Sequence, residues 1–437
     1  MKTMTGKTES RHSTLAEVLA MKTGDQAAVH GMVHTLRDLG DVRFALLRMP
    51  QGVLQCVLSG EDMDVRDGDA VVIAGEVVRD ERAPGGAELH AQRVEVLSRA
   101  AEAMPVPIGK NKMNLSLDTE LSLRFVTLRN LRKRAVFKIQ EGIVRGFREA
   151  LQREGFTEIH SPKIVAQNAE GGANLFRMEY FGRRAYLAQS PQFYKQAMVP
   201  VYERVFEIGP VFRAEKHNTQ RHLNEYTSMD FEMGFIDGFE DIMQMETEVL
   251  QNIMAVLKKD YAPQLEMLHV KLPDVSSIPA MRFDEAKRMV SEKYGRPIRD
   301  PFDLEPEEEQ LISRLFAEEC GSEFVFVTHY PSKKRPFYAA DDPEDPRYTL
   351  SFDLLFRGLE VTTGGQRIHD YDTQVKKLIK KGMNPEDFAG YLMIHQYGTC
   401  PHGGLGLGLE RLTARLLGEN NVRETCLFPR DQQRIEP

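Results

Sequence analysis

The sequence predicts an α+β protein of more than one domain, with a small N-terminal β-barrel followed by a mostly antiparallel sheet flanked by helices. Three observations carry that prediction. Residues 26–98 break into five β-rich stretches separated by Gly, Asp or Pro turns. One long stretch after residue 130 repeats its apolar residues at helical spacing. Beyond it, strand-like runs at 205–235 succeed each other too closely for the crossovers a parallel sheet needs. Length agrees, since 437 residues at roughly 150 per domain make two or three domains.

The elements follow in order. VHGMVHTLRDLG, VRFALLRM, GVLQCVLSG, AVVIAGEVVRD and AELHAQRVEVLS are the five barrel strands, and they place a domain at residues 1–98. A five-stranded OB-fold is the leading arrangement and an SH3-like barrel its competitor. Residues 99–130 read as a linker, because RAAEAMPVPIGKNKMNLSLD is Pro-rich and polar. Residues 131–437 form the second domain. Its first helix carries Val136, Ile139, Ile143, Phe147 and Leu151 at steps of three and four, and Gly155 stops it. FTEIHSPKIV reads as a strand ending near Pro162. RAYLAQ, VFEIGPVFR, EYTSMDFEMGF, EFVFVTHY, YTLSFDLLF and LEVTTGGQRI read as further strands, and 239–258 and 373–396 as helices.

Composition narrows the setting. No apolar run reaches the ~20 residues that span a bilayer, and the first twenty residues lack a signal peptide's apolar stretch. Cys56, Cys320, Cys400 and Cys426 are scattered without a CxxC pair, which fits a reducing cytoplasm. The net charge of -8 weighs against a nucleic-acid partner without excluding one, because binding needs only a local basic face.

Some motifs mislead. The GKT at residues 6–8 would need a glycine where Met1 stands to make a phosphate loop. GGLGLGLER lacks the spacing of a dinucleotide fingerprint. His395, Cys400 and His402 are a weak metal pattern.

Three segments are polar where a core should be apolar. EIGPVFRAEKHNTQRHLNEYTSMDFEMGF (207–235) puts Arg213, Glu215, Arg221 and His222 in a loop that flanking strands would aim at a fixed place. GGLGLGLERLTARLLG (403–418) alternates Gly404, Gly406 and Gly408 on one strand face, opening it to a ligand or another backbone. SFDLLFRGLEVTTGGQRIHDYD (351–372) offers Asp353 and Glu360, hard oxygen ligands suited to Mg²⁺.

FRAEKHNTQRHLNE resembles motif 2 of the class II aminoacyl-tRNA synthetases, and GLGLGLERL resembles motif 3. Pro162 after the long helix fits motif 1, which in that family builds a homodimer interface. QSPQFYKQ (189–196) and GGQRIH (364–369) narrow the likeness to the aspartyl enzymes of archaeal and eukaryotic style. The bacterial style inserts a large domain in the catalytic core, and residues 236–352 show no such organisation.

The resemblance implies ATP and L-aspartate as substrates, Mg²⁺ as cofactor and tRNA(Asp) as acceptor. It implies catalytic roles for Arg213 and Arg411. The ATP set is Arg213, Glu215, Arg221, His222, Tyr226, Glu360 and Arg411, with Tyr226 and Arg411 sandwiching the adenine. Asp353 and Glu360 would hold the metal. Glu170, Gln192 and Asp230 would face the amino acid's ammonium, Lys195 and Arg367 its side-chain carboxylate, with Thr363 beside them. QNAEGGAN (167–174) resembles a loop that closes over the amino acid.

In the barrel, Arg37, Phe44 and Gln55 align with the family's anticodon-binding face, although periodicity alone favours Phe44 as a core residue. His34 and Pro84 depart from the residues that strict members often carry. We therefore expect relaxed recognition, with tRNA(Asn) charged as well as tRNA(Asp). The rivals are a strict tRNA(Asp) enzyme, an asparaginyl-tRNA synthetase (which Lys195 disfavours), an asparagine-making relative (which would lack the barrel) and a nonenzymatic RNA-binding relative.

Overall fold

The computed structural model describes residues 12–40, 42–59, 64–167, 175–216 and 219–436. It divides into two compact units between Arg134 and Ala135.

The first unit is a closed barrel of β1 (Gln26–Asp38), β2 (Arg43–Met49), β3 (Gly52–Leu58), β4 (Ala70–Arg79) and β5 (Ala87–Ser98), in the order β1-β2-β3-β5-β4. Alternation fixes its inside: Ala45, Leu47 and Met49 of β2 are buried with Val29, Val33, Leu54, Ile73 and Leu89. Residues 99–134 belong to this unit. Val106 and Ile108 are buried, and Asn130 Nδ2 donates to the Ile108 and Lys110 carbonyls, both at 2.8 Å.

The second unit is built on an eight-stranded sheet. After β6 (Thr157–Glu158), a small separate sheet forms from β7 (Ile164–Val165), β8 (Arg177–Tyr180) and β9 (Arg183–Leu187). The main sheet continues with β10 (Arg204–Phe212), β11 (Glu225–Gly234), β12 (Ala280–Arg282), β13 (Phe324–Thr328), β14 (Ser351–Phe356), β15 (Leu359–Gln366) and β16 (His402–Gly408). Its order is β12-β13-β14-β15-β16-β11-β10-β6. Only the two edge pairings are parallel, β12 with β13 and β6 with β10, so the predicted antiparallel character holds.

Two long helices cover one sheet face. Ile139, Ile143, Phe147 and Leu151 of the Leu131–Arg153 helix pack with Val249, Leu250, Ile253 and Leu257 of the Glu240–Asp260 helix, against Phe206, Phe231 and Leu405. The helices touch at Gly146, where a Cβ would stand 2.7 Å from the Ile253 Cα. Each large side chain in such a core is worth about 1.5–3 kcal/mol of burial.

Two local expectations change. The strand expected to end near Pro162 already ends at Glu158, and Ile164–Val165, beyond the proline, joins the small separate sheet. The helix expected over 373–396 is split into Tyr371–Lys380 and Ala389–Gln396, because Gly382 takes a left-handed φ of 74° and Pro385 restarts the chain in a short turn. No helix among the described residues is long and apolar enough to cross a membrane.

Candidate active site

The uncovered sheet face carries the polar residues. Along β11, Met229, Phe231 and Met233 enter the core, so Ser228, Asp230 and Glu232 take the other face. Beside them in β16, Gly406 pairs with Asp230 and Gly404 with Glu232. A Cβ on Gly404 would stand 2.3 Å from Glu232 Oε2. The glycine strand therefore makes room for carboxylates of the protein itself, beyond admitting a ligand.

Lys195, from the Gln192–Tyr202 helix, and Arg367, just past β15, meet these acids. Lys195 Nζ donates to Asp230 Oδ2 at 2.9 Å and to the Leu405 carbonyl at 2.8 Å, and lies 3.3 Å from Glu232 Oε2. Arg367 donates Nε to Glu232 Oε1 at 2.8 Å and Nη2 to the Gly404 carbonyl at 2.8 Å. All four side chains are buried. Burial works to raise the Glu232 pKa, but Arg367 and Lys195 overcome it and hold the carboxyl below its ordinary value. A chain of amides braces this wall. Gln192 Nε2 donates to Gln196 Oε1 at 3.0 Å, and Gln196 Nε2 donates to His402 Nε2 at 2.9 Å. Burial pushes the His402 pKa down to about 4, which keeps the ring neutral and able to accept there.

Tyr226 lies four residues before Asp230, about 13 Å along β11. Around it sits a second cluster, built by the β10–β11 hairpin. Arg213 N donates to the Asn224 carbonyl at 2.9 Å and Asn224 Nδ2 returns to the Arg213 carbonyl at 2.8 Å, pinning the neck of the loop. The Arg213 guanidinium stands 5.7 Å from the centre of the Tyr226 ring, within cation–π range. Arg411 Nη1 donates to the Glu360 carbonyl at 3.0 Å and to Glu360 Oε1 at 3.2 Å. Arg221 pairs with Glu309 of the Pro306–Cys320 helix, and Glu309 Oε2 also accepts from Glu360 N at 3.0 Å. Burial drives the Glu309 pKa up to about 7 against the pull of Arg221. Burial, then Arg411, lowers the His222 pKa.

The two clusters share one cavity of about 310 Å³, within the usual size of ligand sites. Gln192, Lys195, Asp230, Thr363 and Arg367 line it, as do Arg213, Glu215, Arg221, His222, Tyr226, Glu360 and Arg411. Asp353 is set back from it. It is buried, and Arg335 Nη2 stands 2.8 Å from its Oδ1. Burial raises the Asp353 pKa, Arg335 opposes, and the charge of Glu360 adds to the rise, leaving it at about 6. Glu170 lies outside the described residues.

Glu232, Arg335 and Glu309 escaped the sequence reading. Glu232 had a signal: it follows Asp230 by two residues on one strand and so shares its face. Arg335 and Glu309 reach the site from distant loops and helices, with no local pattern to mark them.

In the barrel, Phe44 pairs with Arg37 of β1 and Val57 of β3. It is half-buried and out of phase with Ala45, Leu47 and Met49, so it lies on the outer face and not in the core where periodicity favoured it. Gln55 Nε2 donates to Glu88 Oε2 at 2.7 Å. Pro84 is exposed in the turn Pro84–Gly86. His34 differs from these: it is 1% exposed, sits where the β1–β2 register shifts, and has Nδ1 3.4 Å from Arg48 Nη1.

The family described as tRNA synthetases class II (D, K and N) matches residues 116–432. The chain belongs to this family. It is 48% identical to the aspartate–tRNA(Asp/Asn) ligase of Deinococcus radiodurans, over 97% of this chain and 98% of that one. It is 47% identical to the aspartate–tRNA(Asp/Asn) ligase of Thermus thermophilus, over 97% and 99%. Among solved structures, asparaginyl-tRNA synthetase from Pyrococcus horikoshii with asparaginyl-adenylate is similar at a TM-score of 0.90 and 32% identity, covering 98% of this chain and 100% of that one.

A class II synthetase uses ATP, which raises the question of a metal. Asp353 and Glu360 supply hard carboxylate oxygens, and Asp353 Oδ1 has no aligned hydrogen bond. Among the described residues no group of three or more His, Cys, Asp or Glu makes a self-sufficient metal site. That donor set fits Mg²⁺, which takes one or two protein carboxylates and completes its shell with phosphate oxygens and water.

Proposed function

We propose that this synthetase is an aspartate–tRNA ligase that charges both tRNA(Asp) and tRNA(Asn). An α-carboxylate oxygen of aspartate attacks the α-phosphorus of ATP, and the bond to pyrophosphate breaks. A ribose hydroxyl oxygen of the terminal adenosine of tRNA then attacks the aspartyl carbonyl carbon, and AMP leaves.

The charge of the buried amino-acid wall carries the choice of aspartate. Once the substrate ammonium takes Asp230, Lys195 and Arg367 share Glu232, and a substrate side-chain carboxylate supplies the second partner. Asparagine, with a neutral amide, leaves one buried cation unbalanced. Removing one partner from a buried ion cluster costs about 3–5 kcal/mol, enough for a preference of two or more decades.

The remaining roles follow from chemistry. Asp230 and Gln192 take the ammonium, with Glu170 and Thr363 assisting. Arg213 spans the α-phosphate and α-carboxylate, which suits a planar guanidinium. Glu215 accepts from the adenine amino group, while Tyr226 and Arg411 flank the ring. Arg221 and His222 meet the outer phosphates. Asp353 and Glu360 would hold Mg²⁺, which would offset phosphate charge. On the barrel, Phe44 stacks an unpaired anticodon base, with Arg37 and Gln55 beside it. The enzyme acts as a homodimer in the cytoplasm.

Support for two tRNAs comes from the relatives at 48% and 47% identity, both named for Asp and Asn tRNAs. Charging assays with the two purified tRNAs test it. Aspartylation of both is expected, and no measurable charging of tRNA(Asn) would reduce the proposal to a strict tRNA(Asp) enzyme.

A further inference from the structure

A groove on the barrel unit, separate from Phe44, is lined by Arg48, Arg129 and Arg134 together with His30, Met32 and Leu97. Among the described residues none of the three arginines has a carboxylate partner. Arg48 Nη1 donates to the Arg129 carbonyl at 3.1 Å, and Arg134 Nη2 to the Pro50 carbonyl at 2.9 Å. These contacts fix direction without neutralising charge. The other neighbour of Arg48, His34, is neutral at pH 7, because burial, then Arg48 and Arg134, push its pKa down to about 4. Burial and the charges of Arg134 and Arg129 likewise push the Arg48 pKa down to about 10. Three crowded guanidiniums on a chain of net charge -8 mark a place kept for an anion.

The register says which anion. Ala45, Leu47 and Met49 point inward, so Phe44, Leu46 and Arg48 share the outer face of β2. Arg48 follows Phe44 by four residues, about 13 Å along the strand. A nucleic acid with one base stacked on Phe44 brings backbone phosphates a few nucleotides away to that distance. Guanidiniums with free donors match phosphate oxygens.

We propose that Arg48, Arg129 and Arg134 form a phosphate-backbone site for the tRNA stem next to the anticodon loop. This rests on the reading of Phe44 as an anticodon contact. The site positions the tRNA without reading its sequence, so it serves tRNA(Asp) and tRNA(Asn) alike.

The test uses the full-length enzyme and direct tRNA binding across about 50–200 mM salt. Arg129→Gln is the first variant, because among the described residues the Arg129 side chain makes no hydrogen bond or ion pair. It should weaken binding of both tRNAs about three- to ten-fold at low salt and reduce the slope of log K against log salt by about 0.7–0.9. The triple variant Arg48→Gln/Arg129→Gln/Arg134→Gln should reduce the slope further. Aspartate-dependent ATP–pyrophosphate exchange should stay unchanged in Arg129→Gln, showing an intact fold. An unchanged slope in Arg129→Gln with intact exchange overturns the proposal. A thermal shift by inorganic pyrophosphate that Arg129→Gln abolishes, with the tRNA slope untouched, assigns a small-anion site and also overturns it. Failure of the parent reading shows elsewhere, as a Phe44→Ala enzyme that binds both tRNAs as tightly as the wild type.

Discussion

The two ends of the cavity use the same residue types in opposite ways. At the end proposed for the amino acid, Lys195 and Arg367 are buried and paired with Asp230 and Glu232. At the end proposed for the nucleotide, Arg221 and Arg411 are partly exposed and lean on Glu309 and Glu360 at the wall. Buried pairs fix a charge count and so select; partly exposed pairs exchange partners easily and so accommodate a polyphosphate. On the proposed assignment, the difference teaches that specificity is built into the fold, whereas nucleotide handling rests on contacts the fold can spare.

Breaking that contrast starts with the largest effect. Lys195→Ala leaves the buried Asp230 carboxylate without its cation, so it should cost about 3–5 kcal/mol of stability as well as activity. Chemical denaturation together with pyrophosphate exchange checks both losses. Arg213→Ala should cut exchange by about a thousand-fold while changing stability by less than about 1 kcal/mol. Equal stability losses in the two variants would erase the distinction between the ends.

The pH dependence of stability sharpens it, because the two ends carry opposite signs. Glu232 is held below its ordinary 4.5, so its contribution is present above 4.5 and is lost as pH falls. Glu309 is raised from 4.5 to about 7, so its contribution is full below 4.5 and is lost as pH rises through about 7. Denaturation curves from pH 4 to 8 should therefore show Glu309→Gln flattening the neutral side, with the acid side kept. Smallest is Phe44→Ala on the barrel, which should weaken tRNA binding by about 1–3 kcal/mol and leave pyrophosphate exchange untouched.

Much of this was legible in the sequence because it is local. The five barrel strands, the apolar stripe of the Leu131–Arg153 helix and the Arg213–Tyr226 hairpin each announce themselves within a short window. Periodicity alone favoured the core for Phe44, because an apolar residue in a strand looks the same from either face until neighbours fix the phase, and only the resemblance pointed outward. The split at Gly382 and Pro385 overrode a continuous apolar pattern through backbone chemistry alone. The pairing of Glu309 with Arg221, and of Arg335 with Asp353, depends on chain segments far apart that only folding brings together. Glu232 was the avoidable omission, since β-alternation after Asp230 pointed to it.

The central claim is that Lys195 and Arg367, once the substrate ammonium has taken Asp230, are both paired only when the substrate side chain carries a negative charge. Amino-acid-dependent ATP–pyrophosphate exchange on the wild-type enzyme, run separately with aspartate and asparagine, tests it most directly. The account predicts strong exchange with aspartate and at least about a hundred-fold lower kcat/KM with asparagine. Comparable exchange with asparagine would contradict it.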